Sequence, residues 1–218
     1  MCSLTLDKVV IILLFLCLST YASGQVLRSL EDPSRYVNAI QEARTADDFD
    51  ARHELMACLN AWDKKTRLQT IRALEKAGYF RSLNYIFIEI GNAGFGGYGY
   101  FFVGEKDKNI HVIKRDHAEK RTYRSVPAND YYNVLNGIKN RLGNEAIRGS
   151  ANRKFDDGPC YFVNINTKEV TSTFVMYGLV DEADDQSPDA AIYSVAVIKN
   201  LIKTSSPRWG SNSMPKKK

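Results

Sequence analysis

Of the side chains able to act as nucleophile, base or metal ligand, the cysteines Cys58 and Cys160 and the histidines His53, His111 and His117 come first. A thiolate beside an imidazole is an activated nucleophile, so a Cys160–His111 or Cys160–His117 pair would give a hydrolase. An oxidised Cys160 could not take that part, and a disulfide between Cys58 and Cys160 is the expected state. Neither cysteine has another cysteine or a histidine two to four residues away, which is the spacing a zinc site needs. We expect no metal, no cofactor and no catalytic residue. His53, close to Asp50 and Glu54, reads as part of a solvated helix face.

The glycine-rich stretch Gly91-Asn92-Ala93-Gly94-Phe95-Gly96-Gly97-Tyr98-Gly99 has the composition of a phosphate loop without its setting. Phosphate is held where a strand gives way to a helix N-terminus, whereas here the chain re-enters a strand of aromatics, with no Gly-Lys-Ser/Thr ending. A glycine-bounded nucleophile loop would need a serine where Ala93 stands. The stretch therefore reads as a flexible or bulged hairpin connection. Phe95, Tyr98 and Tyr100, on or beside it, are the candidate partner-binding residues, because aromatic rings supply contact area at low entropic cost. Asp181, Glu182, Asp184, Asp185 and Asp189 lack the one-three-five spacing and central glycine of a calcium loop, and acids ahead of a helix are what its dipole favours. They contrast with the basic stretch of Lys114, Arg115, Lys120, Arg121 and Arg124. Patches of both signs steer a charged partner, unless they pair with each other.

Composition frames what these residues can do. With 218 residues, 25% charged and 44% hydrophobic, the chain has a globular balance that excludes a disordered polymer and a multi-pass membrane protein. There is room for one core with a helical appendage. The net charge of +5 comes mainly from Arg208, Lys216, Lys217 and Lys218, so 208–218 reads as a flexible basic tail and no folded nucleic-acid-binding face is expected. Residues 1–24 read as a cleaved signal peptide: Lys8 precedes an apolar run over 9–19, and Ala22 and Gly24 stand where a signal peptidase reads. The run is shorter than the roughly 20 residues that cross a bilayer, so no stable anchor is expected after cleavage before Gln25; a retained anchor is the alternative. Export would leave only Cys58 and Cys160, in an oxidising compartment where pairing is favoured over two buried thiols. No asparagine begins an Asn-x-Ser/Thr acceptor, which leans toward a bacterial envelope.

The elements that must position these residues follow from periodicity. Over 25–83 the pattern is helical in three pieces. Asp32-Pro33 opens the first, with Tyr36, Val37 and Ile40 at helical spacing. Thr45 and Asp48 approximate a capping box for the second, which turns Leu55, Cys58, Leu59 and Trp62 to one face. The third begins near Asp63, turns Leu68, Ile71 and Leu74 inward and stops at Gly78. At Asn84 the period becomes two: Ile86, Ile88 and Ile90 alternate with Tyr85, Phe87 and Glu89. Strands over 98–103 and 109–115, joined by a turn over 104–108, and a strand over 121–126 come next. A helix over 129–142 with Tyr132, Leu135, Ile138 and Leu142 inward, strands over 159–165 and 170–177, and an extensively apolar helix from Ser187-Pro188 to about Thr204 complete the chain.

This order predicts an α+β fold: an N-terminal three-helix layer over 25–83, then a domain over 84–207 with an antiparallel sheet of about six strands and two further helices packed on it. The expected function is that of an exported, periplasmic or extracellular, non-enzymatic binding protein, an inhibitor or immunity-type partner of a secreted protein. The alternative is a cell-envelope hydrolase using Cys160 with a histidine. The expected partner is another protein.

Overall fold

Strand β1 (Tyr85–Asn92) dictates the architecture, because both of its faces must leave water. Successive strand residues point to opposite sides. Ile86 and Ile88 go one way, Tyr85, Phe87 and Glu89 the other, and all five are buried. Such a strand belongs inside a sheet with a layer on each face. The computed structural model of the chain describes residues 30, 36, 58, 64–82, 84–92, 98–115, 121–142, 149–151, 158–168 and 170–207, and it has this form.

Helix α1 (Lys64–Lys76) precedes β1. After β1 come β2 (Tyr98–Lys106), β3 (Asn109–Arg115), β4 (Arg121–Val126), α2 (Ala128–Leu142), β5 (Gly149–Ala151), β6 (Pro159–Asn166), β7 (Thr171–Tyr177), a short 3-10 helix (Glu182–Gln186), α3 (Ala190–Thr204) and β8 (Ser206–Pro207). The strands form one sheet in the order β5-β7-β6-β1-β2-β3-β4-β8. Its six principal strands are antiparallel, and only the three-residue β5 runs parallel to its neighbour β7. The fold is α+β, as the grouped strands predict.

The two layers differ in chemistry. On one side α2 and α3 cover an aliphatic surface that includes Ile86, Ile88, Val103, Val112, Val163 and Met176. On the other, Ile71 and Leu74 of α1 pack with the aromatic rings of Tyr85, Phe87, Tyr100 and Phe102. Helix α1 stops where expected: Gly78 takes φ +83, its N–H donates to the Glu75 carbonyl at 2.7 Å, and Tyr79 N–H reaches back to Leu74 O at 3.0 Å. That closing motif favours glycine, which has no Cβ to strain. It directs Phe80 into the layer, where the ring meets Tyr85 and Phe102 edge-on at 4.9 and 5.3 Å.

Several details depart from the periodicity reading. The 104–108 turn contracts to Asp107 and Lys108, both at positive φ (52° and 62°), as a two-residue hairpin loop requires, so β2 continues through Lys106. In α2 the inward tyrosine is Tyr131, fully buried, while Tyr132 is exposed. The stripe runs 131, 135, 138, and two adjacent tyrosines fit the helical period almost equally well. Helix α3 is capped by Asp189, whose carboxylate accepts from Ala191 and Ile192 N–H at 2.8 and 3.0 Å, two residues later than the Ser187-Pro188 start. Leu68 is only partly buried, and Arg67 takes a core position instead. The leader, the first two helices apart from Leu30, Tyr36 and Cys58, and the 208–218 tail lie outside the described residues. No described helix is long and apolar enough to cross a membrane.

Arg67 is needed because β1 carries Glu89 into the aromatic layer. The two side chains are 1% and 0% exposed, and Arg67 Nε donates to Glu89 Oε2 at 2.8 Å. Tyr36 O–H donates to the same oxygen at 3.4 Å, its ring lying under the guanidinium at 5.6 Å and edge-on to Phe162 at 5.4 Å. Burial, then the neighbouring carboxylate, pushes the Tyr36 hydroxyl pKa well up, so it stays a donor. A buried charge stripped of its partner costs about 3–5 kcal/mol, whereas an apolar pair of similar volume is tolerated. Glu89→Ala should therefore lower unfolding stability by about 3–5 kcal/mol in urea titration. The double variant Arg67→Met/Glu89→Leu should recover most of that loss. A single variant as stable as the parent would contradict this account.

Candidate functional site

The structure disperses most of the chemistry proposed from sequence. Cys58 and Cys160 meet in disulfide geometry, Cα atoms 5.5 Å apart, and both are inaccessible to solvent. The bridge ties a helical residue of the N-terminal region to β6 on the aromatic face, two residues from Phe162. His111 is not its partner. Its row across the sheet runs through Gly104 and Tyr85 to Asn166, three strands away and six residues from Cys160. That separation is about 14 Å across the sheet and about 20 Å along it. His111 instead packs edge-on against Tyr79 at 5.7 Å, with Nε2 3.0 Å from Lys106 O. His53 and His117 lie outside the described residues.

The glycine stretch joins adjacent antiparallel strands, since Gly91 pairs with Tyr98 and Ile90 with Gly99. Phe95 lies outside the described residues, and Tyr98 begins β2. Tyr100 is 1% exposed and packs 5.9 Å from Phe87. Its ring is core, and burial raises its pKa against the opposing pull of Arg121 and Arg115. The acidic loop is occupied with capping. Asp181 accepts from Ala183 N–H at 2.9 Å, Asp184 accepts from Asp181 N–H at 2.9 Å, and Asp189 caps α3.

What the fold does assemble is a cleft of about 480 Å³ on the aliphatic face, between the sheet and the C-terminal half of α3. Register builds its floor. Phe101, Lys114 and Thr122 form one cross-strand row, and Val112 and Arg124 belong to the next, all pointing to the helix side. Lys199, Ile202 and Lys203 form one wall, because residues three and four apart share a helix face. The segment Leu179, Val180 and Asp181 closes the end, with Leu179 40% exposed at the rim.

Its electrostatics are one-sided. Lys114, Arg124, Lys199 and Lys203 line it against the single carboxylate Asp181. Lys199 Nζ donates to Val180 O at 2.6 Å and lies 5.8 Å from the Tyr161 ring centroid. Burial lowers the Lys199 pKa, Asp181 and Asp184 oppose this, and Lys114 adds to it by repulsion. Tyr161 beneath is pushed up to about 12 by burial. Arg124 Nη1 donates to Ser205 O at 3.4 Å, and Lys114 Nζ lies 5.8 Å from the Phe101 ring centroid. Neither Lys114 nor Arg124 has a carboxylate partner among the described residues. Cationic groups interleaved with apolar side chains can hold an anion attached to something greasy. No group of three histidine, cysteine or acidic side chains is placed to hold a metal among the described residues.

Sequence reading singled out the basic stretch containing Lys114 and Arg124 but not Lys199 or Lys203. The available signal was the spacing 199/203 on a helix otherwise apolar nearly all round, together with the shared parity of 112/114 and 122/124. No protein-family model, curated protein or solved structure matches this chain.

The cysteine geometry predicts that iodoacetamide labels neither Cys58 nor Cys160 in denaturant alone and labels both once reductant is added. Reduction should cost about 4–5 kcal/mol of stability for a bridge closing 102 residues. Labelling of Cys160 without reductant would contradict the pairing.

Proposed function

We propose that this is an exported, non-enzymatic binding protein and that the basic cleft is its recognition site. The observation that carries the reading is the cleft itself: four cations and one carboxylate beside apolar side chains, between the sheet and a helix. A rigid, preorganised surface loses little freedom on binding, and a one-signed field speeds encounter with a partner of opposite sign. Exposed Leu179 at the rim gives an apolar anchor beside the charges, the combination found at interface centres and their borders. The partner in this reading is a secreted protein presenting an acidic segment, held in the manner of an inhibitor or immunity protein. Pairing of Cys58 with Cys160 supports a site of action in an oxidising compartment.

A photo-crosslinking amino acid placed at Leu179, with Lys65 on the opposite face as control, tests this in medium and envelope fractions of the source organism. A defined adduct from position 179, absent from position 65 and lost in Lys114→Glu, is expected. Identical adducts from both positions, or none from either, would remove the cleft from consideration.

A further inference from the structure

We infer that the cleft binds a small carboxylate amphiphile: a carboxylate held among Lys114, Arg124 and Lys203, with its apolar chain lying over Phe101 and Ile202 toward Leu179. This rests on the proposed reading of the cleft as recognition site and adds a small-molecule ligand to it.

Three observations converge. The volume, about 480 Å³, falls in the range of small-molecule sites, roughly 300–1,000 Å³. Charge complementarity fixes the sign, because Lys114 and Arg124 lack a carboxylate partner among the described residues while Lys114 and Lys199 repel each other. An anion between them would relieve that repulsion and gain charge-assisted hydrogen bonds. The floor fixes the rest of the ligand. Phe101 and Ile202 of the buried hydrophobic cluster line the cleft, and Leu179 remains 40% exposed at its rim, so an ion with no apolar body would leave Leu179 in water. A cationic amphiphile is disfavoured by the same charges, and a purely apolar molecule would cover lysine and arginine groups without supplying acceptors.

Calorimetric titration of the full chain tests the inference with dodecanoate below its micelle concentration, with dodecyltrimethylammonium and acetate as comparison probes. Dodecanoate should bind saturably with one site per chain, and the other two should not. The double variant Lys114→Gln/Lys203→Gln, at two exposed positions, should weaken dodecanoate by about tenfold or more. Leu179→Ser should also weaken it, while Lys114→Arg and Lys65→Gln should leave it intact. Circular dichroism confirms that each variant is folded. Failure of dodecanoate to bind, equal binding of the cationic probe, or indifference to the double variant would each overturn the inference. If dodecanoate fails while the Leu179 crosslink forms, the ligand class falls and the binding-protein reading stands; if both fail, both fall.

Discussion

The described layers are arranged around a central strand that water reaches from neither side. β1 lies between β6 and β2, with Ile86 and Ile88 under α2 and α3 and with Tyr85 and Phe87 in the aromatic layer. One consequence is that two unlike layers have to form together. Another is that Glu89, set on β1 by the period of two, is carried into a place where a bare carboxylate is untenable. Arg67 and Tyr36 converge on it, and Cys58 reaches β6 on the same face. Residues from before the sheet thus complete one of its two cores.

The same constraint locates the open corner. On the aliphatic face α2 packs near β3, and α3 near β4, β5 and β7. Where β3 and β4 present Lys114, Thr122 and Arg124 to that side, the cleft lies between them and the C-terminal half of α3. That concavity carries a surplus of positive charge, with Lys114, Arg124, Lys199 and Lys203 against Asp181, beside apolar Phe101, Val112, Val180 and Ile202. Binding is accordingly the function we propose.

Much of the fold was legible because it is written in short-range pattern. The alternation at 85–90, the glycine stop at Gly78 and the apolar circumference of α3 each have one structural solution. Adjacent equivalents were not separable: Tyr131 and Tyr132 differ only by which side of a stripe they occupy, and tertiary packing chose the first. β5 and β8, at three and two residues, are too short to carry a period and exist only through their neighbours β7 and β4. The cleft was the least legible part. Lys114 and Lys199 are distant in sequence, and their proximity depends on the angle at which α3 crosses the sheet. Arg67 was missed for a related reason, as an arginine on a helix is read as solvated until the carboxylate it must neutralise is found on another element.

Chemical-shift mapping by NMR, with dodecanoate added stepwise to the labelled chain, tests the central claim most directly. The account predicts that perturbations concentrate on Lys114, Thr122, Leu179, Lys199 and Lys203 and leave Ile71, Phe80 and Phe87 of the aromatic layer unmoved. Perturbations centred on that aromatic layer, or scattered evenly over the surface, would contradict it.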